Sequence, residues 1–265
     1  MTEPWLELCR AAVADARGVL EQLPTRAERE PVVGAGVGGD DTTAIDAAAE
    51  RVFIDRLAGI TDYTLVSEEI GEVVEGTGRP LLVLDPIDGS LNAKRGVPHF
   101  CLSLAVAEGP TMGEVTFAYL YDFGTGEEWT AHRGDGARLN GERIGAVRPK
   151  ERIEILAFEA TLTSSIAEKA SAVVGLAYRL RVMGSLALAL CNLAAGRIDG
   201  VCSLKAARSV DIAAAQLLVR EVGLTVQLPE LAAPFEEAPL DLLGHSRVVA
   251  AATPELCGRL AAALA

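Results

Sequence analysis

The stretch from residue 81 to residue 92 constrains the fold more than any other, because an apolar run ends there in two carboxylates. It reads Leu-Leu-Val-Leu-Asp-Pro-Ile-Asp-Gly-Ser-Leu-Asn. The run Leu81–Leu84 has the length of a buried strand, and Pro86 removes a backbone N–H that a sheet would need. We therefore expect strand pairing to stop where the acids begin, so that Asp85 and Asp88 are held at a strand end.

The two aspartates have two interpretations. Ligands and catalytic groups of α/β proteins collect at strand ends, and two carboxylates in one turn repel each other unless a cation lies between them. Hard divalent ions such as Mg²⁺ take oxygen ligands of this kind, which favours a metal site at Asp85 and Asp88. The alternative is a turn in which both aspartates cap a following helix. This segment alone leaves both interpretations open.

Composition bounds the architecture and the cellular setting. The chain has 265 residues and no long linker, and it is 50% hydrophobic but only 5% aromatic, so alanine and aliphatic residues must fill a large core. We predict a single domain over residues 1–265, with two packed halves of about 1–150 and 151–265. No apolar stretch approaches the length of a bilayer span, and acids stand near the N-terminus where a signal peptide has basic residues. These features predict a soluble cytoplasmic protein with no membrane partner.

The cysteines, histidines and net charge exclude several kinds of site and partner. Five scattered cysteines and three histidines show no spacing typical of a zinc site, so we expect buried thiols and, for any metal, oxygen ligands. The formal net charge of −13 argues against nucleic acid as a partner, because nucleic-acid binding needs a basic surface. A small anionic substrate would need cations bound locally at its site.

Hydrophobic periodicity predicts an alternation of helices and strands, which is typical of helices packed on sheet faces. The predicted helices cover residues 5–23, 43–57, 164–173, 185–195, 210–222 and 254–264. The predicted strands cover residues 64–66, 81–84, 100–107, 114–121, 127–131, 153–158 and 198–202. Glycines and an Asn-Gly pair also predict a hairpin between Gly134 and Ile144.

The glycine-rich segment 31–41 formally contains a dinucleotide-binding motif, because Gly34, Gly36 and Gly39 satisfy G-x-G-x-x-G. Its context argues against that function. Val32-Val33 is too short for the required first strand, and Asp40-Asp41 would face a pyrophosphate with like charge. We expect a mobile flap beside the active site instead.

Acidic residues stand at the ends of four predicted elements. They are Asp46 at a helix start, Glu68 and Glu69 after a short strand, Asp85 and Asp88 after a second strand, and Asp211 at the start of a deeply apolar helix. Each position has a simpler explanation, since an acid at a helix N-terminus interacts well with the helix dipole and an acidic pair in a turn is well solvated. Asp211, at the edge between polar surface and apolar helix, is well placed to ligate a metal.

Several of these segments together resemble a known family. The string Asp85-Pro-Ile-Asp-Gly-Ser-Leu-Asn is preceded by Ser67-Glu68-Glu69 and followed by Val210-Asp211-Ile-Ala-Ala. This combination resembles the inositol monophosphatase family of Mg²⁺-dependent, lithium-sensitive phosphatases, especially its bacterial and archaeal members, some of which also hydrolyse fructose 1,6-bisphosphate. The resemblance covers nearly the whole chain. Further matching segments are Gly96-Val-Pro-His-Phe, Gly134-Asp-Gly-Ala with Asn140-Gly141, and Arg181-Val-Met-Gly-Ser185.

The resemblance implies a mixed α/β (α+β) fold, arranged as a layered αβαβα sandwich, with two or three Mg²⁺ ions in the active site. The implied ligands are Glu68, Asp85 and the Ile87 carbonyl for a first metal, Asp85, Asp88 and Asp211 for a second, and Glu68 with Asp46 for a third. Gly89 and Ser90 begin a helix whose N–H groups would receive the phosphate beside Asp88. The family usually has threonine at Ser90, and either hydroxyl can position water.

The reaction implied by the resemblance is attack of a metal-bound water on phosphorus. Glu68, Ser90 and Asp46 are the implied catalytic residues, since Glu68 binds the first metal and the other two would orient its water. The second metal would neutralise the leaving alkoxide. Metal binding would also resolve the conflict between an acidic chain and an anionic substrate.

The chain departs from the family where the substrate would bind. Leu204 stands where animal inositol monophosphatases have a glutamate that contacts inositol hydroxyls, so that contact is lost. Members that act on fructose 1,6-bisphosphate tend to have basic residues nearby, and Lys205, Arg208 and Arg181 could meet a second phosphate. These three residues could equally be solvated or paired on the surface. Val210 replaces an aromatic residue that commonly precedes the last aspartate, which changes packing only.

We therefore predict a Mg²⁺-dependent phosphomonoesterase acting on myo-inositol monophosphate, fructose 1,6-bisphosphate or both, with a small phosphate ester as its partner and a homodimer as its assembly. One alternative is a phosphatase for a nucleotide, such as a 3′-phosphoadenosine compound or NADP. Relatives of that type generally carry insertions, and this compact chain leaves little room for an adenine pocket. Another alternative is a metal-binding scaffold without turnover. The sequence does not discriminate among physiological substrates.

Overall fold

A computed structural model describes residues 4–37, 41–147, 152–159 and 162–265. The described helices are α1 (Pro4–Gln22), α2 (Arg26–Arg29), α3 (Ala44–Leu57), α4 (Ser90–Arg95), α5 (Thr163–Lys169), α6 (Leu186–Ala194), α7 (Ser209–Glu221) and α8 (Pro254–Leu264). None of these helices has both the length and the apolar character needed to span a bilayer.

The described strands form two large sheets and one small ribbon. They are β1 (Val32–Ala35), β2 (Asp41–Thr43), β3 (Tyr63–Ser67), β4 (Gly71–Glu75), β5 (Leu81–Asp88), β6 (Cys101–Ala107), β7 (Val115–Asp122), β8 (Glu128–His132), β9 (Gly136–Leu139), β10 (Glu142–Arg143), β11 (Ile153–Glu159), β12 (Ala177–Arg181), β13 (Gly200–Ser203), β14 (Thr225–Gln227) and β15 (Val249–Ala251). The eight-stranded sheet has the order β10-β9-β8-β7-β6-β5-β3-β4, and the five-stranded sheet has the order β12-β11-β13-β15-β14.

The layers follow from which helices contact each sheet. Helices α1 and α3 contact each other and one face of the eight-stranded sheet, and their buried side chains form one core with that face. Helices α6 and α7 pack on the other side of that sheet and also contact the five-stranded sheet, forming the largest apolar cluster. Helix α8 covers the outer face of the five-stranded sheet. The predicted αβαβα sandwich is therefore confirmed.

All six predicted helices are present, each within a few residues of its predicted bounds, with residues 164–173 divided into α5 and a 3₁₀ turn. The 134–144 hairpin is also present, as β9 and β10. Strands β4, β12, β14 and β15 were missed. The last two have three residues each, too short for an alternating pattern to appear. The predicted boundary between halves, near residue 150, lies outside the described residues.

The prediction that strand pairing stops at Asp85 was wrong. Strand β5 pairs with β6 through Asp88, and Asp85 lies opposite Ser103 while Asp88 lies opposite Cys101. An advance of three residues on β5 thus matches two on β6, which is a β-bulge. Pro86 falls inside this bulge, so its missing N–H costs no ladder bond and pairing resumes after it.

The glycine-rich segment is not wholly a loop. Val32–Ala35 forms β1, which pairs antiparallel with β2 in a separate ribbon. A dinucleotide fold needs a parallel strand in the central sheet at this place, so the ribbon agrees with the rejection of that motif. Gly39 and Asp40 lie outside the described residues, and the mobility of the flap stays a prediction.

Candidate active site

The register between two parallel strands brings the first acids together. In the β3–β5 pair Ser67 lies opposite Leu84. Glu68 and Asp85 each follow one member of this pair, so they leave neighbouring strands at the same edge of the sheet. Burial, and after it repulsion from Glu68, raises the pKa of Asp85, as expected for a buried carboxyl group beside another one. Side chains far apart in the chain therefore meet because two buried apolar strands pair in parallel.

The bulge and the turn after it hold the next groups in local hydrogen bonds. The Ile87 N–H donates to Asp85 Oδ1 at 2.9 Å, and the Ser90 hydroxyl donates to the Ile87 carbonyl at 2.9 Å. Asp85 is only 1% exposed. The predicted ligand oxygens of Asp85 and Ile87 are thus fixed at the end of β5 by contacts within six residues of chain.

Gly89 permits the sharp passage from β5 into α4. Its φ is +98°, in the left-handed region, and a Cβ there would lie 3.1 Å from the His99 carbonyl oxygen and 3.2 Å from the Gly184 carbonyl oxygen. Only glycine fits both the conformation and the space. The first turn of α4, which begins at Ser90, therefore follows directly on the acids of β5.

Asp88 is anchored by the other half of the molecule. The Ser185 hydroxyl donates to Asp88 Oδ2 at 2.5 Å, and the Ala187 N–H donates to the same oxygen at 2.8 Å. Ser185 caps α6, since its hydroxyl oxygen also accepts from the Leu188 N–H at 3.2 Å. The N-terminus of α6 thus stabilises the charged form of Asp88.

Asp211 lies in the first turn of helix α7, and Arg208 directly precedes that helix. The Arg208 backbone N–H donates to Asp211 Oδ2 at 2.7 Å, and the Arg208 guanidinium lies 3.3 Å from Asp211 Oδ1. The same guanidinium nitrogen donates to Glu68 Oε1 at 2.5 Å. The Arg208 and Glu68 side chains are each 14% exposed, so this ion pair is largely shielded from water.

Asp46 lies at the first turn of α3 and is 1% exposed. The Thr43 N–H and hydroxyl both donate to Asp46 Oδ2, at 3.1 and 2.5 Å. Among the described residues, Asp46 Oδ1 has no hydrogen-bond partner although it is buried. A buried carboxylate oxygen without a partner is costly, and a cation or an ordered water would satisfy it.

Most of the predicted site residues line one cavity of about 300 Å³. Its lining includes Glu68, Asp85, Ile87, Asp88, Gly89, Ser90, Lys205, Arg208 and Asp211. Asp46 and Arg181 are not part of that lining. Arg181 is an exposed residue that ends β12, and its guanidinium donates to the neighbouring Leu180 carbonyl.

Leu204, where the chain departs from animal inositol monophosphatases, is not part of the cavity lining either. Leu204 packs against the apolar cluster between the five-stranded sheet and α8. The acid in that part of the wall is Glu159, which ends β11 opposite Ser203 of β13. The Gly184 N–H donates to Glu159 Oε2 at 2.8 Å. The Glu159 carboxylate thus holds the loop that leads to Ser185.

Sequence analysis missed Glu159, and one signal would have found it. It follows a predicted strand at residues 153–158, the same pattern that singled out Glu68 and Asp85. Ser185 was noted only as part of a matching segment, because its contact with Asp88 joins residues 97 apart in the chain.

Burial raises the pKa of four acidic groups that line the cavity. It raises the pKa of Glu68 to about 7 despite attraction to Arg208, and it raises the pKa of Asp88 to about 6 despite the Ser185 hydrogen bond. Burial and then repulsion from Glu68 raise the pKa of Asp85 well above its usual range. Burial also raises the pKa of Glu159 to about 8. A cation in the cavity would favour all the charged forms.

The donor set suits a hard divalent cation. Five acidic and two basic residues line the cavity, and the oxygens of carboxylates and of a backbone carbonyl are what Mg²⁺ prefers. The partnerless Asp46 oxygen agrees with this chemistry. Within the described ranges, no three His, Cys, Asp or Glu side chains are grouped as a preformed metal centre. The types of donor atom fit the ion. Because no metal centre is preformed among the described residues, binding the ion would require the carboxylates to approach one another.

Comparisons with known proteins show which sequences this chain resembles. Residues 5–265 match the sequence model of the inositol monophosphatase family. A "fructose-1,6-bisphosphatase/inositol-1-monophosphatase" of Thermococcus kodakarensis is 36% identical over 192 residues, which cover 72% of this chain and 71% of the relative. The "Nus factor SuhB" of Escherichia coli K12 is 34% identical over 223 residues, covering 80% of this chain and 81% of the relative.

A solved structure shows the same fold. The crystal structure of a protein described as an inositol monophosphatase-fructose 1,6-bisphosphatase superposes with a TM-score of 0.86 at 23% identity, covering 98% of this chain and 100% of the other. The fold is thus shared with a protein of that description.

Proposed function

The chain belongs to the inositol monophosphatase family, and on that premise we propose that it is a Mg²⁺-dependent phosphatase that hydrolyses the phosphate monoester of a small sugar or polyol. One observation carries the proposal. Four acidic side chains from three places in the chain line the same cavity as the first turn of α4: Glu68 after β3, Asp85 and Asp88 on β5, and Asp211 on α7. Such a cavity combines oxygen ligands for a cation with N–H groups for a phosphate.

The proposed metal ligands are the four acids and the Ile87 carbonyl, with Asp46 as a further ligand. When bound, Mg²⁺ would supply a nucleophile from water and neutralise the charge of the leaving oxygen. The Ser90 hydroxyl, which donates to the Ile87 carbonyl, lies at the start of α4 and orients the groups that approach phosphorus. The buried oxygen of Asp46 that has no partner among the described residues could accept a hydrogen bond from water.

The substrate is proposed from the chemistry of the wall and from the names of relatives. Lys205 is exposed at the cavity and could contact a second phosphate, so fructose 1,6-bisphosphate and myo-inositol monophosphate are the two substrates to compare. Leu204 faces away from the cavity, so no side chain at that position reads inositol hydroxyls. Arg181 would contact substrate only after a change of conformation, or across an assembly.

We also propose a homodimer. Strand β12 is an edge of the five-stranded sheet, and Tyr178 on it is 78% exposed, as is Val174 before it at 80%. An exposed edge strand with large apolar side chains is suited to pairing with a second copy. Light scattering coupled to size exclusion would measure the mass, and a monomer at micromolar concentration would contradict the proposal.

A second candidate is a metal-binding scaffold without turnover. It is kept because the name of one relative, the Nus factor SuhB of Escherichia coli, does not describe an enzymatic activity. The two candidates differ in one measurable property, because only the phosphatase releases phosphate. A nucleotide phosphatase is a third outcome of the same measurement.

The deciding experiment is phosphate release from a panel of sugar, polyol and nucleotide phosphates with Mg²⁺ and with EDTA. We expect Mg²⁺-dependent release that falls by at least about a thousandfold in Asp88→Asn and Asp211→Asn. Asp55→Asn is the matched control, since Asp55 is an exposed acid on α3 that pairs with Arg51. Full activity in EDTA would overturn the metal requirement, and no turnover on any ester would favour the scaffold.

A further inference from the structure

The guanidinium of Arg208 uses the same oxygens that the proposed metals would use. It donates to Glu68 Oε1 at 2.5 Å and lies 3.3 Å from Asp211 Oδ1. Resting on the proposed function, we infer that Arg208 is an internal counter-ion that competes with the divalent cation, so that its guanidinium must leave Glu68 and Asp211 when the metal binds. The chain itself thereby sets the affinity of the metal.

Charge explains why the pair forms. The cavity brings five acidic residues together with only two basic ones, Lys205 and Arg208. Arg208 lies where both Glu68 and Asp211 can be reached at once, and each of these side chains is mostly shielded from water. An interaction between opposite charges is strong in such surroundings, and removing one partner leaves the other buried and unpaired.

Geometry explains how the exchange can occur without loss of the site. The backbone N–H of Arg208 donates to Asp211 Oδ2, and this bond does not depend on the guanidinium. Asp211 therefore keeps its orientation at the start of α7 when the side chain departs. The long arginine side chain has several rotatable bonds, and it borders the cavity next to Lys205, so it remains beside a bound phosphate ester after leaving the carboxylates.

The predicted contact of Arg208 with a phosphate is thus the second step of the same exchange, in which the guanidinium leaves the carboxylates and binds an anion. With the carboxylates paired to the guanidinium, the arginine is occupied. With a cation on the carboxylates, the arginine is released to an anion. Metal binding and substrate binding would then be coupled through one side chain, with each favouring the other.

The test is the affinity for Mg²⁺ alone, measured by calorimetry without substrate. Arg208→Gln should bind Mg²⁺ about tenfold or more tightly than the wild type, because the competing cation is gone. Lys205→Gln is the matched control. It removes the same charge from the same cavity, but among the described residues no hydrogen bond or ion pair joins Lys205 to Glu68 or Asp211, so it should change the affinity by less than about threefold.

Two further measurements keep the inference falsifiable if Arg208→Gln folds poorly. Arg208→Lys retains the charge but reaches two carboxylates less well, and its affinity should lie between those of the wild type and Arg208→Gln. In the wild type, ¹⁵N spectra of arginine side chains should show the Arg208 signal, assigned by its loss in Arg208→Lys, moving to a solvent-exposed position as Mg²⁺ is added.

The outcomes separate the inference from the proposed function. Equal or weaker Mg²⁺ binding by Arg208→Gln, or an Arg208 signal unchanged at saturating Mg²⁺, would overturn the exchange while leaving Mg²⁺-dependent phosphate release in place. Equal gains in Mg²⁺ affinity in Arg208→Gln and Lys205→Gln would show that the effect comes from net charge alone, which would also overturn the exchange. Absence of Mg²⁺ binding by the wild type would instead overturn the proposed function.

Discussion

Two walls of the same cavity are built in different ways. The wall between β5 and α4 carries Asp85, Asp88 and Ser90 on short side chains that are held by nearby hydrogen bonds. The wall between β13 and α7 carries Lys205 and Arg208 on long side chains that can rearrange. The comparison teaches that the groups proposed for the reaction are preorganised, whereas the groups proposed for charge recognition depend on what else occupies the cavity.

Among the substitutions that compare the two walls, one that distorts the backbone of the first wall should have the largest effect. Gly89→Ala places a methyl group 3.1 Å from the His99 carbonyl oxygen at a φ of +98°, so backbone must move. We expect a loss of about 2–4 kcal/mol in the free energy of unfolding and a fall of more than about a hundredfold in kcat/KM.

Gly134→Ala is the control for that change. Gly134 has a φ of +79°, but nothing lies within 4 Å of its added Cβ. It should cost only the strain of the left-handed region, about 1–2 kcal/mol, with little effect on kcat/KM. Equal losses in both variants, measured by urea unfolding and by phosphate release, would show that the tight fit around Gly89 is unimportant.

A smaller effect is expected from Ser185→Ala, which removes a hydrogen bond to Asp88. Since that bond lowers the pKa of Asp88, its loss should raise the pKa and move the acid limb of the kcat/KM profile to higher pH. The rate should fall about tenfold to a hundredfold. Thr253→Ala removes an equivalent helix cap from α8 without touching the site, and a similar pH shift there would contradict the assignment.

Glu159→Gln should change the pH dependence of stability more than stability itself. Burial raises the pKa of Glu159 to about 8, so between pH about 4.5 and about 8 the folded state holds a proton that the unfolded state releases. The free energy of unfolding therefore falls as pH rises through this window. In Glu159→Gln the free energy of unfolding should no longer fall with pH, so the variant should become more stable relative to the wild type as pH approaches 8.

Unfolding in urea at a series of pH values, without added metal, measures the slope. Glu168→Gln is the control, because the Glu168 side chain is 69% exposed. A wild-type slope that survives in Glu159→Gln would mean that another group titrates in this window.

The smallest effect belongs to the second wall. Lys205→Ala should raise KM for fructose 1,6-bisphosphate by about threefold, and the difference should shrink at high salt because Lys205 is exposed. KM for inositol monophosphate should change less. Lys169, which pairs with Glu168 at the surface, supplies the control substitution. Equal changes in KM for both substrates would remove Lys205 from recognition of a second phosphate.

The first wall was predicted well from sequence because its information is local. An apolar run, a proline and two aspartates lie within eight residues, and their order predicts where the carboxylates stand. The error at Asp85, where pairing continues through a bulge, arose because β6 as well as β5 decides whether pairing resumes. A bulge is a property of two strands and cannot be read from one.

The second wall was predicted less well because its contacts join distant parts of the chain. Arg208 pairs with Glu68 across 140 positions. In the first wall, too, the contact between distant positions, from Ser185 to Asp88 across 97, was not predicted. The sequence suggested that Arg208 meets either a phosphate or an acid, and packing selected the acid. Glu159 could have been singled out as an acid after a predicted strand, but only the sheet order, which places Ser203 opposite it, brings that strand end to the cavity.

The sequence by itself determined the class of fold, the six principal helices and the identity of the acids, since periodicity and short motifs are properties of contiguous residues. Only the tertiary structure decided which acids share a cavity and which have a hydrogen-bond partner. It also turned Leu204 away from the cavity and placed Glu159 in its wall. The physical reason is that burial, and with it every raised pKa, is created when the two sheets close on α6 and α7.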